Sequence, residues 1–163
     1  MGLVHIYCGD GKGKTSAAVG LAVRAAGCGK RVVIARFLKT DNSGEVEILK
    51  KIPEVTLIPC RKTFGFVRSM DEETKRECAA YHRELFGEAV KLAEHADLVV
   101  FDEIMAAVNY GMVPECDVLE FLENRPGRDQ TDGLEIVLTG RDPSEKLIAA
   151  ADYVSEICKR KHP

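Results

Sequence analysis

The sequence predicts an α/β fold built on a doubly wound, mostly parallel sheet with helices on both faces. Short apolar segments alternate with longer segments of helical periodicity along the chain of 163 residues. The apolar segments lack the apolar–polar alternation of half-exposed strands, which is typical of strands buried on both faces of a parallel sheet. No linker rich in proline, glycine or serine divides the sequence, so we expect residues 1–163 to form one domain.

The first half of the chain predicts three strands and two helices. The strands are expected at 3–7, 31–37 and 55–59. An alanine-rich helix at 16–26 follows the first strand and is ended by Gly27. Ser69 and Glu72 have the spacing of a capping box, which predicts that a long helix begins there and continues to about His95.

The second half predicts three more strands and two more helices. The strands are expected at 98–101, 135–139 and 153–157, and the helices at 114–124 and 144–151. Ligands of doubly wound sheets bind at the carboxyl ends of the strands. The loops that share this edge should therefore be those after Tyr7, Phe37, Phe101 and Thr139.

The amino-acid composition limits which binding partners and which cellular compartment we expect for this protein. The chain carries 23 Lys and Arg against 26 Asp and Glu, a net charge of −3, so neither nucleic acid nor a membrane surface is an expected partner. Its six cysteines include no CxxC pair, which predicts free thiols rather than a zinc site. No export leader is apparent and no apolar run approaches the ~20 residues of a membrane helix, so we expect a cytoplasmic protein.

The strongest motif lies directly after the first predicted strand. The segment from Cys8 reads Cys-Gly-Asp-Gly-Lys-Gly-Lys-Thr-Ser, which differs from the GxxxxGK[ST] pattern only in having Cys8 where glycine is usual. Such a loop turns backbone N–H groups toward phosphate oxygens at a helix N-terminus. The predicted nucleotide-binding residues are Gly9, Asp10, Gly11, Lys12, Gly13, Lys14, Thr15 and Ser16. The loop indicates a P-loop NTPase-like (RecA-like) fold, in which Lys14 contacts phosphate and Thr15 holds Mg²⁺ or Mn²⁺.

Other charged residues are weaker candidates for the same site. The strand at 98–101 ends in Asp102 and Glu103, like the strand that carries the magnesium-side carboxylates of P-loop proteins. We expect Glu103 to be the metal ligand, directly or through water, and Asp102 to support it. Arg141 either contacts nucleotide or substrate, or lies in a loop that only starts the next helix. Arg24 either reaches the nucleotide from the first helix or extends to solvent.

Taken in order, these motifs resemble the P-loop type of ATP:corrinoid (cob(I)alamin) adenosyltransferase. Besides the phosphate loop, the resembling segments are 20–27, 29–30, 36–39, 101–103, 109–110, 124–127, 139–141 and 151–156. The resemblance implies that cobalt(I) of a corrinoid attacks C5′ of the ribose of ATP and releases triphosphate, in adenosylcobalamin synthesis or salvage. It also implies a reductase that supplies electrons to cobalt, and a homodimer.

The resemblance also implies roles for particular residues. Cobalt(I) brings its own electron pair, so the protein has to orient ATP and stabilise the charge on the triphosphate rather than supply a base. Lys14, Thr15 and Glu103, with the metal, would do this. The family segment Gly-Phe-Thr-Trp is represented here by residues 65–68, with Arg68 at the tryptophan. Phe64 and Phe66 either contact the corrinoid or pack in the core, and Phe66 is the expected contact.

Two other functions are compatible with the motifs. A phosphotransferase or NTPase would cleave at the γ-phosphate and use Arg141 or Arg36 as an arginine finger. A nucleotide-binding regulator or corrinoid carrier would keep the phosphate loop without turnover. The products distinguish them, because adenosyl transfer releases triphosphate, phosphoryl transfer releases ADP, and a regulator releases neither.

Overall fold

A computed structural model describes residues 2–128 and 130–161, which contain a six-stranded sheet. The strands are β1 (Val4–Cys8), β2 (Val32–Arg36), β3 (Val55–Leu57), β4 (Leu98–Asp102), β5 (Glu135–Thr139) and β6 (Tyr153–Glu156). All neighbouring strands run parallel, in the order β3-β2-β4-β5-β1-β6. This sheet confirms the predicted doubly wound α/β fold.

Helices cover both faces of the sheet. They are α1 (Lys14–Gly27), α2 (Gly44–Leu49), α3 (Glu72–Ala93), α4 (Ile104–Asn109), α5 (Glu115–Glu123) and α6 (Glu145–Ala150). The sequence predicted all of them except α2 and α4, which have six residues each. Within the described residues, none of these helices has the length and apolar character needed to cross a membrane.

The start of α3 differs from the predicted capping box. Asp71 is the N-cap residue, and its Oδ1 accepts the backbone N–H of Thr74 at 2.7 Å. Ser69 instead lies in a short 3₁₀ turn, where its hydroxyl donates to the carbonyl of Phe66 at 2.9 Å. Because aspartate caps a helix as well as serine does, the chain uses the acceptor nearer to the helical residues. The prediction that Ser69 opens the helix is therefore wrong.

Two apolar clusters fix the sheet between its helices. On one face, α1 packs the small side chains of Ala18, Ala22 and Ala26 against β2, β4 and β5. On the other face, α3 and α5 pack against the same strands through larger side chains such as Phe86 and Phe121. Every residue of β2 and β4 is buried, as expected for central parallel strands.

The strand order brings the predicted loops to one edge of the sheet. β2, β4, β5 and β1 are consecutive in the sheet, so their carboxyl ends are adjacent. The N–H of Phe37 donates to the carbonyl of Asp102 at 2.9 Å, and the N–H of Gly140 donates to that of Tyr7 at 3.3 Å. These bonds join neighbouring loops directly. The common edge predicted from the sequence is confirmed, and the site is built on it.

Candidate active site

The loop between β1 and α1 leads into the amino end of helix α1 and forms one part of the site. Gly13 has a φ of 117°, a conformation that glycine adopts readily, and α1 begins at the next residue. The Lys14 side chain is buried over the loop, where its ammonium donates to the carbonyls of Gly9 and Gly11 at 2.8 Å each. The unpaired N–H groups of the first turn of α1 and the Lys14 charge therefore lie together, as an anion site requires.

A segment that follows β6 supports this loop from outside. The N–H of Ile157 donates to the carbonyl of Cys8 at 2.9 Å, and the N–H of Gly11 donates to that of Ile157 at 2.7 Å. The N–H of Lys159 donates to the carboxylate of Asp10 at 3.0 Å, which is the main reason that the pKa of Asp10 is lowered. We call residues 157–159 the strap. Asp10, predicted as a nucleotide contact, thus has a partner within the protein.

The strap explains why residue 11 is glycine. A Cβ at this position would lie 2.6 Å from the carbonyl oxygen of Ile157. We therefore expect Gly11→Ala to lower the free energy of unfolding by about 1–3 kcal/mol, because loop and strap must separate, and to weaken ATP binding with it. Urea unfolding and ATP titration measure the two effects.

The matched control for this substitution is Gly87→Ala. Gly87 lies within α3, and a Cβ there would meet nothing within 4 Å. Alanine is favoured over glycine in a helix by about 1 kcal/mol, so this variant should be as stable as the original chain or more stable. If Gly11→Ala behaves like Gly87→Ala in both measurements, the contact with the strap does not shape the loop.

Asp102, the last residue of β4, is the centre of a buried polar cluster. Its carboxylate is 2% exposed, and Oδ1 accepts the hydroxyls of Thr15 at 3.0 Å and Thr139 at 2.7 Å. The Thr139 hydroxyl in turn accepts the N–H of Glu103 at 2.9 Å. The structure therefore brings together Thr15 and Asp102, which the sequence predicted on separate elements as parts of the metal site.

Lys39 completes the cluster and was not among the predicted site residues. Its Nζ donates to Oγ1 of Thr15 at 2.8 Å and forms an ion pair with Oδ2 of Asp102. The backbone of Lys39 is also held, because the thiol of Cys60 donates to its carbonyl at 3.1 Å. Its position shortly after β2, a strand next to β4, is the signal that would have identified it had the strand order been known.

The other predicted residues differ in how close they lie to this cluster. Glu103 follows Asp102 directly and is half-buried. Arg141 is exposed in the loop after β5, where the side-chain amide of Asn109 donates to its carbonyl at 3.2 Å. Arg24 is exposed in the last turn of α1, and the helix rise puts it about 15 Å from Lys14. Arg24 is therefore not brought to the cluster.

Lys12 and Ser16, the remaining predicted nucleotide contacts, are both exposed at the amino end of α1. Lys12 lies in the phosphate loop itself, and Ser16 lies in the first turn of the helix. Both are within the motif that predicted them. Neither is part of the polar cluster around Asp102.

Three non-glycine residues at this edge have left-handed backbone conformations. Leu38, Glu103 and Asp142 have φ angles of 52°, 61° and 50°, and they follow β2, β4 and β5. Such residues cost about 1–3 kcal/mol each and persist only where the surrounding structure holds them. The edge that carries the phosphate loop is therefore also where the fold concentrates backbone strain.

Cavities of the described residues adjoin the cluster, and Lys39 lines three of them. One of about 420 Å³ is lined by Thr15, Ser16, Val19, Gly20, Lys39 and Glu45. A larger one of about 570 Å³, which we call the cleft, is lined by Leu38, Lys39, Gly65, Phe66, Val67, Arg68, Glu103, Ala106 and Tyr110. A third of about 300 Å³ continues from the cleft to Phe64 and His82. The polar cluster therefore borders a space with apolar and aromatic walls.

The two phenylalanines of this region have different environments. Phe66 is 87% exposed at the cleft, whereas Phe64 is half-buried and its ring lies 5.6 Å from that of Tyr81 and 6.4 Å from that of His82. Burial lowers the pKa of His82 to about 4, so this ring is neutral at pH 7 where it lines the third cavity. Phe64 thus packs partly against the interior while it lines the third cavity, and Phe66 is the more exposed of the two rings.

Arg36, the alternative arginine finger, has other partners. It is 5% exposed, donates to the carbonyl of Thr40 at 2.9 Å and forms an ion pair with Asp41. The Asp41 carboxylate also accepts the N–H of Cys60 at 3.2 Å. These contacts make Arg36 a support of the loop that carries Lys39.

The donor set suits a magnesium or manganese ion. Within residues 2–128 and 130–161, no group of three or more His, Cys, Asp or Glu is arranged to hold a metal. Mg²⁺ is usually held by one or two carboxylates together with hydroxyl, phosphate and water oxygens, and Thr15 and Asp102 provide oxygens of this kind. The ammonium of Lys39 between those oxygens indicates that the position favours a cation.

Comparisons with known proteins agree with the motifs. The family model for ATP:corrinoid adenosyltransferases BtuR/CobO/CobP matches residues 1–163. The corrinoid adenosyltransferase of Escherichia coli strain K12 is 34% identical over 164 residues, which are 99% of this chain and 79% of that protein. The corrinoid adenosyltransferase CobA of Salmonella typhimurium is 34% identical over 163 residues with the same coverage. That of Pseudomonas aeruginosa is 29% identical over 164 residues, 99% of this chain and 77% of that protein.

Proposed function

The chain belongs to the ATP:corrinoid adenosyltransferase BtuR/CobO/CobP family, and we propose from this that its site transfers the 5′-deoxyadenosyl group of ATP to cobalt(I) of a corrinoid. The other product is triphosphate, and the reaction serves adenosylcobalamin synthesis or salvage. The observation that carries the proposal is that Lys39, which contacts Thr15 of the phosphate loop and Asp102, also lines the cleft. One substrate would be held by its phosphates while its ribose faces the space open to the other.

The phosphate loop would bind ATP and stabilise the leaving group. In the transfer, the C5′–O bond breaks and its electron pair goes to the triphosphate, while the cobalt(I) pair forms the new bond to carbon. Negative charge therefore grows on the phosphates, next to the Lys14 ammonium and the first turn of α1. Lys14 would exchange the carbonyls of Gly9 and Gly11 for phosphate oxygens, which accept stronger, charge-assisted hydrogen bonds.

We assign the divalent cation to Thr15, Asp102 and Glu103. When bound, Mg²⁺ or Mn²⁺ supplies positive charge that offsets the charge on the triphosphate. Thr139 fixes both acidic residues, since its hydroxyl donates to the Asp102 carboxylate and accepts the N–H of Glu103. The half-buried Glu103 lies at the wall of the cleft, where it could act directly or through water.

We assign the corrinoid to the cleft. Leu38, Phe66 and Tyr110 give it an apolar wall suited to a large planar ring. Cobalt(I) is generated by reduction of cobalt(II), and this reduction becomes easier when the lower axial ligand of cobalt leaves. An exposed ring such as Phe66 could occupy the space of that ligand.

We expect Phe66→Ala to slow adenosylation when the reaction starts from cobalt(II), and to have little effect when preformed cobalt(I) is supplied. The reason is that loss of the ring affects displacement of the lower ligand and not the transfer itself. Rates measured from both starting states under anaerobic conditions test this. Equal losses in the two assays would mean that Phe66 only supports the fold, and no loss in either would remove it from the site.

The direct test of the function is an anaerobic incubation of the chain with ATP, Mg²⁺ and chemically reduced corrinoid. The spectrum of the adenosylated corrinoid should develop, and an equal amount of triphosphate should be released. Formation of ADP instead would indicate phosphoryl transfer. Binding of ATP and corrinoid without either product would indicate a regulator or carrier.

Three further proposals follow from the chemistry and the family. A reductase supplies the electron that generates cobalt(I), the chain acts as a homodimer, and it works in the cytoplasm. The single sheet, in which β1 pairs with both β5 and β6, supports the proposal that residues 1–163 form one domain. Light scattering of the purified chain measures its oligomeric state.

A further inference from the structure

We propose that Lys39 is a displaceable internal cation that makes divalent-metal binding depend on nucleotide. Its ammonium contacts the same two side chains, Thr15 and Asp102, to which we assign the metal. The inference therefore rests on the proposed metal site and deepens it. Lys39 would leave these oxygens when ATP and the metal bind together.

The buried carboxylate of Asp102 needs a positive charge beside it. A carboxylate that is 2% exposed is strongly destabilised unless a positive charge compensates it. The hydroxyls of Thr15 and Thr139 satisfy Oδ1 with hydrogen bonds, and Lys39 provides the positive charge at Oδ2. Lys39 thus supplies the electrostatic stabilisation that a bound metal would otherwise supply.

The Lys39 ammonium and a divalent cation would exclude each other from this position. The Thr15 hydroxyl donates its proton to Asp102 and accepts from Lys39, so one of the two lone pairs that could bind a metal is engaged. A divalent cation between Thr15 and Oδ2 of Asp102 would also meet the ammonium at close range, where like charges repel strongly. The metal and the ammonium therefore compete for one position, and Lys39 lowers the affinity for free metal.

The Lys39 side chain has room to move away from Asp102. The side chain of Lys39 is 24% exposed and borders the cavity that contains Thr15 and Ser16 as well as the cleft, so its flexible stem has space on both sides. Its backbone is anchored by the Cys60 thiol, so movement is confined to the side chain. The phosphates of ATP offer the ammonium new anionic acceptors, which frees Asp102 for the metal.

The test is titration of Mn²⁺ into the nucleotide-free protein, with free Mn²⁺ measured by electron paramagnetic resonance. We expect Lys39→Met to bind Mn²⁺ about 10- to 100-fold more tightly than the original chain, the range of typical coupling between sites. The charge-matched control is Lys50→Met, because Lys50 is an exposed residue of the neighbouring segment whose ion pair is with Glu47. This control should bind Mn²⁺ like the original chain.

Further variants separate the outcomes. Adding Asp102→Asn to Lys39→Met should abolish the gain in Mn²⁺ affinity. Lys39→Gln keeps a polar donor and replaces the methionine variant if that variant does not fold. It should show the same gain in Mn²⁺ affinity. Unchanged or weaker Mn²⁺ binding in both Lys39 variants overturns the competition. If instead Asp102→Asn alone leaves Mn²⁺ binding intact in the presence of ATP, the proposed metal site itself is wrong.

Discussion

Lys14→Ala is expected to bind ATP about 100-fold more weakly or worse. The lysine supplies a full positive charge among the phosphates, and hydrogen bonds to charged groups contribute about 1.5–3 kcal/mol each. In the structure its ammonium already makes two bonds inside the loop, which shows that it reaches the space between Gly9 and Gly11. Isothermal titration with ATP and Mg²⁺ measures the loss.

Two controls make the result interpretable. Circular dichroism should give the same helix content for Lys14→Ala as for the original chain, since the side chain packs against the loop and not in the core. Lys30→Ala removes the same charge from an exposed position beyond α1 and should leave ATP affinity unchanged. An ATP affinity of Lys14→Ala equal to that of the original chain would mean that the loop does not bind phosphate.

Asp102→Asn is expected to abolish metal-dependent turnover while preserving the shape of the cluster. The amide oxygen still accepts the hydroxyls of Thr15 and Thr139, but the negative charge that faces Lys39 and the metal is lost. Removing one partner of a buried ion pair costs about 3–5 kcal/mol, and the partial exposure of Lys39 lowers that cost. We expect a lower melting temperature and a rate that no longer rises with Mg²⁺.

Glu103→Gln is the comparison for this substitution. It removes a charge from the next residue, which is half-buried and donates its backbone N–H to the hydroxyl of Thr139. It should raise the Mg²⁺ concentration needed for turnover, with a smaller change in ATP affinity and in stability. Should Asp102→Asn keep the Mg²⁺ dependence of the original chain, the acidic end of β4 has a structural role only.

The strands and the phosphate loop could be predicted because their signals are local. β5 lies at the residues expected from its apolar run, and β4 and β2 were recognised because both of their faces are buried. The phosphate loop is a continuous motif between a strand and a helix, so one segment of sequence contains all of it. The family identified from these motifs is confirmed by the comparisons.

The rest of the site depends on contacts between distant parts of the sequence. Lys39 and Asp102 are separated by 63 positions, and Asp10 and Lys159 by 149. No local pattern relates such residues, because it is the strand order that brings their loops together. Phe64 and Phe66 are only two positions apart in the sequence, and the packing of α3 against Phe64 separates their environments.

The strap has a consequence for the order in which the protein becomes functional during synthesis. Residues of the phosphate loop are synthesised before residues 157–159, yet β1 lies between β5 and β6, and the loop takes its support from those later residues. Contacts that distant in sequence form late in folding, because a long loop has to close first. We therefore expect a chain that ends before β6 to lack the support of the phosphate loop and to bind ATP more weakly than a chain that contains β6 and the strap. A ligand stabilises only the form that it binds, so ATP would stabilise chains in which β6 and the strap are in place.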